Sequence, residues 1–309
     1  MKPAALRAGA TLAVLSPAST PKAERVHRGS ERLREFGYET VLYPHALDSG
    51  PLYYAGTLEQ RLGDLHAAFA DPAIDGIVCT RGGWGSAELL PYLDAALIRA
   101  NPKIFVGYSD HSSLHSWFQN EVNLVTFYAP MVASDFARDG GVDLASWNQA
   151  LQGDLSWSLG KSDGLKVLRS GVAEGRLLGG CLSILTQGLG TPYAQVFGDD
   201  TILFLEDIGM KPYQWDRMLV HLHYSGRLEG VKGIVFGDMA QCVAEEEQEY
   251  LERAILHSLR DFSGPIAIGL SCGHVNGANI TLPLGVQVKL DLREWEHPRM
   301  DFVEAAVSV

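Results

Sequence analysis

The sequence predicts an α/β protein: an N-terminal parallel sheet flanked by helices, joined to a C-terminal α+β domain. Three observations carry this expectation. Short apolar segments alternate with helical stripes as far as Pro130. Beyond Gly164 strands outnumber helices. The polar, glycine-containing turns of the first half all fall after strands, where open α/β sheets bind ligands.

The elements follow in order. ATLAVLSPA (10–18) is a strand, and residues 21–36 form a helix. YETVLY (38–43) is the second strand. Leu58, Leu62, Leu65 and Phe69, spaced by four, three and four, make one apolar stripe of a helix. GIVCTRGG (76–83) is the third strand, and GSAELLPYLD (85–94) opens a helix. KIFVGYS (103–109) and NLVTFYAP (123–130) are strands four and five. SPAS, RGGWGS, Ser109 and YAPM therefore lie together at carboxyl ends of strands.

ALQGDLSWSLGKSDG (150–164) reads as a linker between a first domain, 1–149, and a second, 165–309. In the second, KVLRSG, EGRLLGG, TILFLED, GIVFGD, PIAIGL, VQVKLD and MDFVEA are short strands. Helices are expected near 181–188, 213–224 and 246–260. The sheet is expected to be curved or barrel-like, and the two domains to meet in a cleft suited to a small molecule.

A chain of 309 residues is long enough for two cores, and 46% hydrophobic and 20% charged residues are ordinary globular values. A formal net charge of −12 leaves no basic stripe for phosphates and argues against nucleic acid. Cys79, Cys181, Cys242 and Cys272 are far apart and read as reduced thiols rather than a disulfide framework. The apolar run near the N-terminus reads as a strand rather than a signal peptide, and no stretch approaches a membrane span. A cytoplasmic protein without a membrane partner is the expectation.

In KIFVGYSDHSSLHSWF (103–118) a strand stops at Ser109 and a helix begins one residue later. A serine at such a corner projects its hydroxyl beyond the sheet, the logic of a nucleophile elbow, although His111 stands where G-x-S-x-G has its last glycine. The same serine equally suits a helix cap. A nucleophilic serine needs a base and a group to orient it. Of ten histidines, His111 and His115 share the helix of Ser109, and the His221/His223 pair lies on different helix faces. His274 stands apart, in the glycine-rich loop GLSCGHVNGANITLPLG (269–285) after a strand. Glu206 ends the apolar strand TILFLED, where it could also cap the following helix. On chemistry alone, Ser109, His274 and Glu206 are one reasonable set among several.

Six segments in order carry a family resemblance: SPAS, RGGWGSAELLPYLD (81–94), FVGYSD (105–110), GRLLGGCLSIL (175–185), LEDIGMKPYQWDRML (205–219) and GHVNGANITLPLG (273–285). Together they resemble the L,D-carboxypeptidases, a serine peptidase group that also contains the microcin C7 self-immunity protein. The resemblance covers nearly the whole chain. It implies a Ser-Glu-His triad of Ser109, Glu206 and His274, and release of the C-terminal D-alanine from peptidoglycan tetrapeptides during muropeptide recycling. It also implies a homodimer.

The oxyanion would take the backbone N–H of Asp110 and a second donor from the Gly82–Gly83 pair, Gly83 being favoured. Arg81 is the candidate for the carboxylate of the substrate, with packing or a salt bridge as its alternative role. No metal or other cofactor is called for: there is no H-E-x-x-H and no Cys/His cluster. Two positions depart from the family, Ala129 for a usual glycine and Trp215 for a smaller apolar residue. An immunity-type hydrolase of peptidyl-aminoacyl nucleotides, with Trp84 or Trp215 as adenine platform, is one alternative. A catalytically silent binding module is the other.

Overall fold

The structure is a computed structural model that describes residues 1–308. Its chain divides into two compact units. The first comprises Met1–Asp154, Gly277–Gly285 and a short stretch from Ala305; the second comprises Leu155–Asn276 and Val286–Glu304.

Five strands come from the first half of the chain: β1 (Thr11–Leu15), β2 (Glu39–Leu42), β3 (Gly76–Cys79), β4 (Ile104–Gly107) and β5 (Thr126–Tyr128). Nine follow: β6 (Trp157–Gly160), β7 (Lys166–Arg169), β8 (Val172–Cys181), β9 (Thr201–Glu206), β10 (Val231–Gly237), β11 (Ile266–Leu270), β12 (Leu282–Leu284), β13 (Gln287–Asp291) and β14 (Arg299–Phe302).

The first unit is built on a sheet of order β12-β5-β4-β3-β1-β2, parallel except where β12 runs antiparallel to β5. Its central strands are apolar along their length because helices cover both faces, so β3, β4 and β5 are wholly buried. β2, at the edge, is short and largely exposed. The helix Leu58–Ala70 begins at a capping box of Thr57 and Gln60 and buries Leu65 and Phe69 of the predicted stripe. Phe69 and Phe105 both pack on Phe118, at 5.6 and 4.9 Å between ring centroids. These contacts fasten the helix Ser112–Val122 to the sheet and so fix the corner at Ser109.

The second unit carries a mixed sheet of order β6-β14-β13-β8-β9-β10-β11-β7, with β8 to β11 parallel and the remainder antiparallel. The helices Pro212–Tyr224 and Gln248–Ser258 bury Trp215, Leu219, Leu251 and Ile255 with Leu203, Leu205 and Phe236. Trp215 is 0% exposed, and its indole N–H meets the Cys242 sulfur at 3.4 Å. It is a core residue, not an exposed platform for a base.

Three local features differ from the sequence reading. The stretch 150–164 contains β6, whose Trp157 stacks on Phe302 at 3.9 Å. Four residues with two inward side chains among serines and glycines are too few to show a strand period. Leu144–Gln152 is a helix, capped by the Asp143 carboxylate on the Ser146 N–H and burying Trp147. LPL of the 269–285 segment is β12, which pairs with β5 rather than staying in a loop. Among the described residues no helix is long and apolar enough to cross a membrane.

Candidate active site

The first unit presents a strained serine. Ser109 has φ +64°, in the left-handed region that costs an L-residue about 1–2 kcal/mol. Such a conformation persists only where the surroundings enforce it. Here β4 ends at Gly107, the helix Ser112–Val122 starts five residues on, and Ser109 must make the reversal. Its N–H donates to the Tyr128 hydroxyl at 3.1 Å, and its carbonyl accepts from Ser112 Oγ at 2.7 Å. A strained serine between a strand and a helix is the geometry of a nucleophile elbow.

The loop after β3 lies against this corner. A methyl group on Gly82 would be 2.9 Å from Ser109 Cβ, 3.2 Å from its Oγ and 3.3 Å from the Asp110 nitrogen. Glycine at this position is therefore what lets the two backbones approach. Gly83, at φ +107°, abuts the loop after β1 instead: a methyl there would be 2.4 Å from Ser19 Oγ. Ser19 Oγ also accepts the Trp84 N–H at 3.1 Å. Arg81 is exposed, and among the described residues its guanidinium has no ion-pair partner.

The side chains beside the serine are buried. Asp110 accepts the Ser86 N–H at 2.8 Å, and burial raises its pKa above the usual carboxylate value. His111 donates Nε2–H to the Arg81 carbonyl at 3.0 Å and accepts the Ser86 hydroxyl on Nδ1 at 2.8 Å. Burial pushes its pKa down to about 4, so the ring is neutral. His115 similarly bridges the Gly107 carbonyl and the Thr126 hydroxyl, with its pKa pushed down to about 3. Both histidines hold backbone and neither is aimed as a base.

Arg61 is a buried cation that the sequence reading missed. It donates to the carbonyls of Pro17 (2.9 Å) and Gly85 (2.8 Å) and pairs with Glu88 at 2.6 Å. Its guanidinium sits 4.7 Å from the centre of the Tyr54 ring, whose hydroxyl bonds Glu88 at 3.0 Å. One side chain thus ties the loops after β1 and β3 together. The signal was present: Arg61 falls three residues after Leu58 and four before Leu65, a charge within an apolar stripe.

The second unit holds an acid–imidazole pair. β9 ends on Glu206, 1% exposed, whose Oε2 lies 2.8 Å from His274 Nδ1 and also accepts the His274 N–H at 3.0 Å. The double contact fixes both the ring and the loop that carries it. Gly273 makes the approach possible: it has φ +93°, and a methyl there would be 2.5 Å from Glu206 Cδ. Next to it Asp207 caps the Ser183 N–H at 2.8 Å, and burial together with the Glu206 charge raises its pKa. The histidine keeps a 16% exposed side chain.

Comparison with known proteins gives these geometries a context. Residues 12–129 match the LD-carboxypeptidase N-terminal domain and residues 174–290 the LD-carboxypeptidase C-terminal domain. The chain belongs to the LD-carboxypeptidase family. A Bacillus subtilis protein named a probable murein peptide carboxypeptidase is 35% identical, over 99% of this chain and 95% of its own. The murein tetrapeptide carboxypeptidase of Pseudomonas aeruginosa is 31% identical, covering 91% and 92%. The microcin C7 self-immunity protein of Escherichia coli is 28% identical, covering 93% and 92%. A solved structure of a variant of that immunity protein with adenosine monophosphate matches with TM-score 0.90 at 25% identity, covering all of both chains. The fold and the peptidase family of this LD-carboxypeptidase relative are thereby established.

Proposed function

We propose that this protein is a serine L,D-carboxypeptidase that releases the C-terminal D-alanine of peptidoglycan tetrapeptides. The observation that carries the reading is Ser109 at φ +64°, a strained serine at the end of β4 in a chain that also clamps His274 on Glu206. Names of relatives, murein peptide and murein tetrapeptide carboxypeptidase, supply the substrate class.

In this reading Ser109 Oγ attacks the scissile carbonyl while His274 takes its proton. Glu206 on Nδ1 selects the tautomer whose Nε2 carries the lone pair, and it stabilises the imidazolium that follows. The N–H groups of Asp110 and Gly83 receive the oxyanion. His274 then protonates the leaving amine, D-alanine departs, and water hydrolyses the acyl-enzyme. Arg81, with no carboxylate of its own, receives that of the substrate. A cytoplasmic homodimer acting on imported muropeptides is the setting we propose.

The 28% identity to an immunity protein supports a second reading, hydrolysis of a peptidyl-aminoacyl nucleotide. The burial of Trp215 leaves Trp84 as the aromatic candidate for its base. Wild type and Ser109→Ala incubated with a tetrapeptide and with such a conjugate, followed by mass spectrometry, separate the readings. Loss of D-alanine with wild type alone supports the carboxypeptidase. Cleavage of the conjugate alone moves the protein to the immunity branch, and cleavage of neither points to a binding module.

A further inference from the structure

Two adjacent side chains just after Ser109 reach back to the glycine loop and grip it at both ends. His111 Nε2–H holds the Arg81 carbonyl at 3.0 Å, immediately before Gly82–Gly83. Its Nδ1 takes the Ser86 hydroxyl at 2.8 Å, and the Asp110 carboxylate takes the Ser86 N–H at 2.8 Å, three residues after Gly83. All three side chains are 0% exposed. The side chains that anchor the loop are therefore out of solvent, where leaving a polar group unpaired is expensive.

The consequence is geometric. Gly82 approaches Ser109 closely enough that a methyl would touch both Oγ and the Asp110 nitrogen. Loop and nucleophile thus share one rigid body only if something ties them across the end of the sheet, and His111 makes that tie from within the Ser109 turn. Its imidazole is also wedged edge-on against Phe105 at 6.4 Å, which fixes the ring plane. A neutral ring is needed, since one nitrogen must donate and the other accept; burial keeps it so.

We infer that His111 is a positioning residue. By bridging Arg81 and Ser86 it holds the Gly82–Gly83 peptide in register with Ser109, where a donor for the developing oxyanion is required. Asp110 serves the reaction twice, its N–H facing the site and its carboxylate locking the far end of the loop. This inference rests on the serine-hydrolase reading above and adds a residue to it. It also explains why the last glycine of the elbow motif is absent: the position carries a tether.

The test uses His111→Phe, which keeps a ring against Phe105 and loses both hydrogen bonds, and His111→Gln, which retains a side-chain amide donor. Ser86→Ala removes one partner and leaves the histidine in place. For His111→Phe the expected result is a fall in kcat of roughly 30- to 100-fold on the tetrapeptide, with KM within about twofold. His111→Gln recovers part of the loss, and adding Ser86→Ala to His111→Phe costs little more, because the bond that Ser86 makes to His111 is already lost there. Hydrogen–deuterium exchange over 81–86 rises in His111→Phe while the peptides of the second unit are unchanged. A His111→Phe enzyme with wild-type kcat, or one whose kcat falls with unaltered exchange over 81–86, overturns the inference. If wild type cleaves no tetrapeptide, the proposed substrate fails separately. The rate at which a fluorophosphonate labels Ser109 then replaces kcat, and the exchange measurement, which needs no substrate, still decides whether His111 holds the loop.

Discussion

Substituting Gly273 by alanine tests the acid–imidazole pair without altering either member. The added methyl would sit 2.5 Å from Glu206 Cδ and 2.7 Å from its Cγ and Oε2. Carbon atoms in contact rest about 3.5–4 Å apart, so the carboxylate must retreat by about 1 Å. Its bonds to His274, now 2.8 and 3.0 Å, then exceed the range of a hydrogen bond. A displacement of that size in an orienting group lowers kcat by roughly 100-fold or more. Stability falls as well, by about 1–2 kcal/mol for alanine at φ +93° and about 1–3 kcal/mol for the crowding. The assay is D-alanine release under steady-state conditions, paired with urea unfolding. Gly277→Ala, four residues on, is the control, because a methyl there meets nothing within 4 Å. If Gly273→Ala works within about threefold of wild type, the Glu206–His274 contact is not what orients the base.

Three further expectations can be checked. Ser109→Ala and Ser109→Gly both abolish hydrolysis, but the glycine variant is the more stable by about 1 kcal/mol in urea unfolding, since only glycine adopts φ +64° without strain; equal stabilities would show the strain to be absent. Arg81→Ala raises KM for a tetrapeptide with a free C-terminal carboxylate roughly tenfold and leaves KM for its C-terminal amide unchanged; a change in neither constant would remove Arg81 from substrate binding. Asp135, buried among the Met131 N–H, Arg138 and the Tyr108 hydroxyl, has its pKa raised to about 6, chiefly by burial. The native state therefore holds this proton more tightly than the unfolded chain, and the stability it contributes is complete below the ordinary carboxylate value and declines as pH rises through 6. Wild type should accordingly lose stability relative to Asp135→Asn between about pH 4 and pH 7, and a constant difference in urea midpoint would contradict this.

What local sequence could show was period and punctuation. β1, β3, β4 and β5 are short, continuous apolar runs, legible because a strand covered on both faces has no polar side to hide. The corner at Ser109 was legible because strand residues stop and helix residues begin within two positions. Glu206 and His274 were legible as candidates: one is an acid at the end of an apolar strand, the other a histidine among glycines. β6 and β12 were not, since strands of four and three residues owe their pairing to partners more than a hundred positions away in the chain.

Only tertiary structure sorted the polar residues. Trp215 became core because two helices and a sheet close over it, and Arg61 became a clamp because two backbone loops and the Glu88 carboxylate converge on its guanidinium. His111 and His115 share an ordinary helical sequence with surface histidines, and nothing in their neighbours announces that both rings are buried and neutral. Composition and spacing act along the chain, so they determine strands, helices and turns. Desolvation and hydrogen bonding act across it, so which histidine binds backbone and which meets a carboxylate is decided when distant segments pack.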